Sequence, residues 1–507
     1  MLTMKRSSGI LMPVYALPSP HGIGTFGRAA YDFADFLHAA GQSYWQMLPL
    51  GPTSYGDSPY QSFSTYAGNP YFIDLDELAA DGLLTAGEIA AADWGDDPRY
   101  VDYGKIYKSR FAVLARAKAR GWERDREAVA AFERENARWL PDYALFMACK
   151  RHFGMRAWTE WDSSSGWWTE WDDEELRLRR SPAVLEKYRT LLREDVELFI
   201  YLQFLFFRQW NRLRDYLHHL GIRVIGDLPI YVAMDSADVW ADPASFQLDE
   251  RCVPTEVSGV PPDYFSADGQ LWGNPLYRWD RMKADGFGWW IRRIDGAGKL
   301  YDVIRVDHFR GFEAYWAVPY GETTAKNGHW VKGPGMDLIG VLNGWFPKLE
   351  FIAEDLGYPT PELAQLLRDS QWPGMKVLEF AFDDRDDSAG LPHAFPERSI
   401  CYTGTHDNSP LALWRGEASG ESVARAGEYF GLNDAEGFCE GMLRGGLSSP
   451  SALFVAQLQD WLGLSVGCRT NTPGTSAGNW RWRLLPGEAS AALAERICHK
   501  TALYGRI

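Results

Sequence analysis

The sequence predicts an α/β fold in which parallel strands close into a (β/α)8 barrel, with a mainly helical insertion and long loop insertions at the C-terminal face. Three observations carry that prediction. Short apolar runs of strand length recur between segments with helical spacing, as they do in βαβ units. About eight such runs can be counted, and 507 residues suffice for one large barrel with insertions. Four of the runs end in a carboxylate: Asp227, Asp307, Glu354 and Asp407. An open doubly wound sheet gathers ligand groups mainly at one switch point, whereas a closed barrel draws them from many strand ends, so the barrel fits better.

Taken in order, residues 27–40 have the helical spacing Ala30, Phe33, Ala34, Phe36 and Leu37, and Gly41 stops them. Residues 43–50 follow as a buried strand. A loop rich in Gly, Pro, Ser and Tyr comes next, at 51–70, and carries Asp57-Ser58-Pro59-Tyr60-Gln61, in the place where α/β proteins put ligands. Residues 70–76 read as a second, short strand.

Strand signals then disappear over residues 77–194, where helical patterns at 107–120 and 127–139 predict a mainly helical insertion, with Trp167, Trp168 and Trp171 after them. A helix at 197–220 ends at Gly221, and residues 222–230 restart the alternation. The apolar run 198–207 is too short to span a bilayer and reads as a buried helix face. Residues 241–279 form a long Gly/Pro/aromatic loop, and a loop of that length in a compact domain is usually functional, often a lid. Further strands are expected at 303–306, 349–357, 375–382, 400–408 and 452–462.

A formal net charge of −16 with no basic stripe argues against nucleic acid as a partner, which would require Lys and Arg to neutralise phosphates. The six cysteines are scattered, without CxxC pairs or Cys/His ligand spacing, so a reducing compartment is expected and no metal site or cofactor. Lys5-Arg6 precede a short apolar patch broken by Pro13 and Pro18, which does not read as a signal peptide. A cytoplasmic protein without membrane or obligate protein partner is the expectation. The aromatic surplus, Trp 23, Tyr 24 and Phe 26, is mostly core, with some rings available to stack on sugars.

Within Val303-Ile304-Arg305-Val306-Asp307, Arg305 and Asp307 place opposite charges on one face of an apolar strand, because side chains two apart share a side. A structural ion pair is one reading. The other makes Asp307 a nucleophile kept ionised by Arg305. Paired carboxylates without a phosphate or metal motif point to glycosyl transfer, with one ionised carboxylate and one protonated carboxyl serving an oxocarbenium-like transition state. Asp307 would attack the anomeric carbon, Glu354 would act as acid and then base, and Asp407 would hold sugar hydroxyls, with His308 and His406 donating to the same ring.

Several blocks of the chain resemble the signature of the amylomaltases, the 4-alpha-glucanotransferase or disproportionating-enzyme family. They are Arg305-Val306-Asp307-His308-Phe309-Arg310-Gly311, Ala353-Glu354-Asp355-Leu356-Gly357 and Gly404-Thr405-His406-Asp407-Asn408. The resemblance extends over essentially the whole chain, including the Tyr60 and Asp227 blocks, Gly269-Gln270-Leu271-Trp272-Gly273-Asn274-Pro275, and Asn471-Thr472-Pro473-Gly474-Thr475. It implies a retaining barrel enzyme of the alpha-amylase superfamily acting on maltooligosaccharides and alpha-glucans. Asp307 would be its nucleophile, Glu354 its acid/base and Asp407 its transition-state stabiliser. By the same resemblance Arg305, His308 and His406 contact the sugar in the cleaved subsite, and Gln270 and Trp272 belong to a lid over the acceptor side. Tyr60, Asp227, Asn274 and Asn471 are further candidate substrate contacts. One departure stands out: Ser409-Pro410 follow His406-Asp407-Asn408 where a pair such as Asp-Thr is expected.

Transfer over hydrolysis requires that a glucan hydroxyl reach the glycosyl-enzyme before water does, and the loop carrying Phe265, Trp272 and Tyr277 is the predicted water-excluding lid. The residues alone also admit an alpha-amylase-type hydrolase or an inactive glucan-binding protein. Retention of all three carboxylates argues against the latter.

Overall fold

The computed structural model describes residues 5–161, 174–262, 266–357, 359–383, 385, 390–475 and 477–507. Eight parallel strands close on themselves in the spatial order β1 (Ser7–Leu11), β12 (Leu453–Gln457), β11 (Ser399–Tyr402), β10 (Gly374–Val377), β9 (Glu350–Ala353), β6 (Val303–Val306), β3 (Arg223–Leu228) and β2 (Tyr44–Gln46). Leu11, Ile225, Val303, Ile352, Met375, Val377, Ile400, Tyr402, Leu453 and Val455 cluster together as one apolar core. Strand parity continues this face upward. Ile225 pairs with Val303 and Asp227 with Arg305, so the next layer toward the carboxyl ends is charged.

One expected strand is not formed, and a strand that was not expected completes the barrel. The first barrel strand is Ser7–Leu11, fully buried, although only Ile10 and Leu11 mark it as apolar. Gly9 is required there because a Cβ would stand 2.8 Å from Tyr44 on the neighbouring strand. Residues 70–76, in contrast, are no strand. Pro70–Phe72 is a 3-10 turn capped by the Asn69 side chain, and Asp74 caps the helix Leu75–Ala80. Their strand-like apolarity is side-chain burial, with Tyr71, Phe72 and Ile73 all in the core. The runs at 375–382 and 452–462 are each a strand followed by a helix, Leu378–Ala381 and Leu458–Leu462 respectively.

From Leu75 to β3 the described chain is mainly helical, including Tyr103–Gly121, Arg126–Glu135, Leu140–His152 and Pro182–Leu191. The long helix Arg193–His219 returns the chain to the barrel. Trp167, Trp168 and Trp171 lie outside the described residues.

The stretch 241–279 is not a plain loop. It contains β4 (Glu256–Val260) and β5 (Gln270–Pro275), which join β7 (Ala314–Pro319) and β8 (His329–Lys332) in an antiparallel sheet of order β5-β4-β7-β8. Gly259, Gly269, Gly273 and Pro275 mask the strand signal, and the partner strands come from the distant β6 to β9 connection. Phe265 lies outside the described residues. Tyr277, expected in the lid, is instead 1% exposed, its hydroxyl donating to the Ile230 carbonyl.

Candidate active site

Main-chain pairing carries two of the carboxylates beyond their strands. The Asp307 amide donates to the Leu228 carbonyl at 3.0 Å and the Glu354 amide to the Val306 carbonyl at 3.0 Å, so the barrel ladder runs on into the site. Parity places Asp227, Arg305, Asp307 and Glu354 on the inner face of three neighbouring strands.

Arg305 is the hub. Its Nη1 donates to both Asp227 oxygens at 2.7 Å and to Asp307 Oδ1 at 2.9 Å, while Nε reaches Met375 Sδ at 3.3 Å. The Asp227 side chain is fully buried and also accepts from the Tyr60 hydroxyl at 2.8 Å. Asp227 therefore lies enclosed beneath Asp307 as the partner of Arg305 and Tyr60. Tyr60 stacks on His406 with ring centres 5.0 Å apart, and its hydroxyl lies 3.4 Å from Nδ1. His406 Nε2 in turn faces Asp407 Oδ2 at 3.3 Å, and Asn471 donates to Asp407 Oδ1 at 2.6 Å. One chain of contacts thus links Asp307 to Asp407 through Arg305, Asp227, Tyr60 and His406.

Glu354 Oε2 accepts from the His308 amide at 2.7 Å, and Oε1 from the Leu356 amide at 3.0 Å. His308 takes a left-handed conformation, φ +53°, which turns the chain immediately after Asp307. Its ring meets Trp272 edge-on at 4.8 Å, and Trp272 Nε1 donates to Gln270 Oε1 at 3.2 Å. These two β5 residues bring the second sheet against the barrel mouth. Asn274 is buried. Its amide donates to the Val232 carbonyl at 2.9 Å and its oxygen accepts from Ser258 at 3.4 Å, so it ties β5 down from inside the protein.

The three carboxyls sit in three electrostatic settings. Burial pushes Asp307 up to about 6, opposed by Arg305 and reinforced by Asp227. Burial also pushes Glu354 well above the usual range, and the Asp307 charge adds to this while Arg305 opposes it. For Asp407, burial acts upward, yet the His406 charge and hydrogen bond, the Asn471 amide and Arg305 together bring it down to about 2. His406 is correspondingly raised: burial acts downward, and the Asp407 charge and hydrogen bond together with the Asp227 charge outweigh it. Burial, with the nearby Arg310 charge, lowers His308 to about 4, so its ring is neutral at pH 7. The arrangement can hold one protonated and two ionised carboxyls around one sugar ring at neutral pH.

Sequence reasoning missed Arg469 and Trp480. Arg469 donates to the Asp407 carbonyl at 2.7 Å, and the Trp480 ring lies 6.1 Å from His406 and 5.8 Å from Tyr60. The signal for Trp480 was its place in Asn479-Trp480-Arg481-Trp482, a block that also resembles the family, and Arg469 lies just before the Asn471 block.

A (β/α)8 barrel with such carboxyls at its strand ends defines a class, enzymes that rearrange glycosidic bonds by carboxylate chemistry. Comparison with known proteins narrows the class to one family. The chain belongs to the 4-alpha-glucanotransferase family, whose model matches residues 12–488. It is 45% identical to the 4-alpha-glucanotransferase of Clostridium butyricum over 98% of this chain and 100% of that one. It is 45% identical to the Thermus thermophilus enzyme of the same name over 98% of each chain. The amylomaltase from Streptococcus agalactiae, solved in complex with acarbose, superposes with a TM-score of 0.94 at 40% identity, over 99% of this chain and 100% of that one. The activity that goes with this membership is transglycosylation between glucans, which decides for transfer among the readings the residues left open.

Proposed function

We propose that the chain moves α-1,4-glucan segments from a maltooligosaccharide donor to the 4-hydroxyl of an acceptor glucan or glucose, with net retention, and that Asp307, Glu354 and Asp407 perform it. Asp307 attacks the anomeric carbon as Glu354 gives its proton to the departing glycosidic oxygen, leaving a covalent glycosyl-enzyme. Glu354, now ionised, takes the proton of the acceptor hydroxyl as that oxygen displaces Asp307. Asp407 and His406 hold the ring hydroxyls of the sugar between them. The observation that carries this reading is the separation of charge states, Asp307 beside Arg305 and Glu354 pushed toward the acid form.

Acceptor preference over water is supported by Trp272 and His308, whose rings narrow the mouth under the β5 edge. Gln270, joined to Trp272, belongs to the same wall. A cytoplasmic setting is supported by six free cysteines, four of them buried, which suit a reducing compartment. Among the described residues no helix is long and apolar enough to cross a membrane.

Incubation of the pure protein with maltotriose tests the proposal. Longer maltodextrins accompanied by glucose are expected, and products that are all shorter than the substrate would overturn it in favour of hydrolysis.

A further inference from the structure

Asp307 and Glu354 are held by the barrel ladder, but Asp407 stands five residues past the end of β11 at Tyr402. Its placement has to come from somewhere else. The guanidinium of Arg469 supplies it. Nη2 donates to the Asp407 carbonyl at 2.7 Å, Nη1 to Ser409 Oγ at 2.8 Å, and Nε to the Asn471 carbonyl at 2.8 Å. The Asn471 amide donates to the His406 carbonyl at 3.1 Å, and its side chain holds Asp407 Oδ1 at 2.6 Å. Residues 406–409 and 469–471 are thus joined by one planar fork and one asparagine. A lysine, with a single nitrogen on a flexible stem, could not reach three acceptors on two segments in this way.

Ser409, the departure from the family pattern, fits into this arrangement. Its hydroxyl donates to Glu417 Oε2 at 2.6 Å while accepting from Arg469, and Pro410 then starts the helix Leu411–Glu417.

The other side of the 467–483 segment leans on the edge of the helical insertion. Tyr100 donates to the Gly467 carbonyl at 2.9 Å and Tyr103 to the Trp480 carbonyl at 2.7 Å. Val101 and Arg481 exchange bonds of 2.8 and 2.9 Å. The Trp480 amide returns to the Thr470 carbonyl at 2.8 Å, next to Arg469.

We propose that Arg469 is a positioning residue for glycosyl transfer, fixing the Asp407 carboxylate through Asn471, and that the helical insertion buttresses this clamp through Tyr103. The inference rests on the reading of Asp407 as the group that stabilises the transition state. Misplacement of such a group by about 1 Å costs on the order of 10²-fold in rate.

The test is steady-state disproportionation of maltotriose by Arg469→Ala, Arg469→Lys, Asn471→Ala, the double variant and Tyr103→Phe, with Asp407→Asn as reference. For Arg469→Ala, kcat is expected to fall on the order of 10²-fold with KM little changed, because the loss lies in the transition state. Arg469→Lys, which keeps charge and stem, should fold normally and still lose most of kcat. The double variant should lose no more than the worse single variant, since both changes act on one carboxylate. Tyr103→Phe should lower kcat several-fold. Full kcat in Arg469→Lys, or additive losses in the double variant, would overturn the clamp, and full kcat in Tyr103→Phe would overturn the buttress. Activity retained in Asp407→Asn would instead remove the reading of Asp407 on which the clamp depends.

Discussion

Arg305 is bound more tightly to Asp227 than to Asp307. Its Nη1 lies 2.7 Å from both oxygens of its register partner on β3, and 2.9 Å from one oxygen of Asp307, just past the end of its own strand. The pair is almost wholly enclosed, with side-chain exposures of 3% and 0%. Asp227 therefore competes with Asp307 for the same cation and adds its own negative charge to the site.

Asp227→Asn should then act on stability and on titration in opposite senses. Removing one partner of a buried pair costs about 3–5 kcal/mol, to be read from denaturant unfolding. The same change removes a charge that raises Asp307, so the acid limb of kcat/KM should move to lower pH. A limb that stays put or moves up would contradict the assigned coupling.

Arg305→Ala should move that limb the other way. Arg305 opposes the rise of Asp307, so without it Asp307 climbs beyond about 6 and a smaller fraction is ionised at pH 7. The enclosed Asp227, left without its partner, should lower stability by about 3–5 kcal/mol as well. A pH profile paired with a thermal melt measures both effects.

The barrel was legible because its strand ends carry charge where an apolar strand should continue, as Arg305 and Asp307 do, and because strand parity is a local property. Asp307 and Glu354 follow from the same rule, whereas Asp407 lies five residues past the end of β11 and does not. What escaped was long-range. Ser7–Leu11 becomes a strand by lying between β12 and β2, and its Ser-Ser-Gly start has no intrinsic strand signal. β4 and β5 need β7, far along the chain, before they are a sheet. The resemblance marked Asp227 and Asn274 as candidate contacts, but the partners that hold them inside the protein, Arg305, Tyr60 and Val232, are visible only in three dimensions.

Glu354→Gln and Asp307→Asn separate the two chemical roles. Loss of a general acid typically costs about 10²–10⁴-fold, and this loss should appear on natural glucans yet shrink on a donor whose leaving group needs no proton. Equal losses on both donors would argue against the acid role. With burial pushing Glu354 upward, the wild-type basic limb should reflect loss of its proton and be absent from the Gln variant. Asp307→Asn should show no covalent sugar adduct by mass spectrometry on either donor.

Trp272 bears on the choice between acceptor and water. Its ring stands edge-on to His308 at 4.8 Å and 6.3 Å from Tyr231, and β5 is held beside it by Asn274, which is anchored to the Val232 carbonyl. Truncation to alanine opens the wall beside His308, next to Asp307. Water then reaches the glycosyl-enzyme more readily, while the carboxylates keep their partners in Arg305, the His308 amide and Asn471. Trp272→Ala should accordingly retain glycosyl-enzyme formation and lose transfer relative to hydrolysis by several-fold, measured as reducing-end release against glucose release from maltotriose. Asn274→Ala should produce the same shift in weaker form, by loosening the strand that carries Trp272. An unchanged ratio in Trp272→Ala would show that water is excluded by the bound acceptor itself and not by this wall.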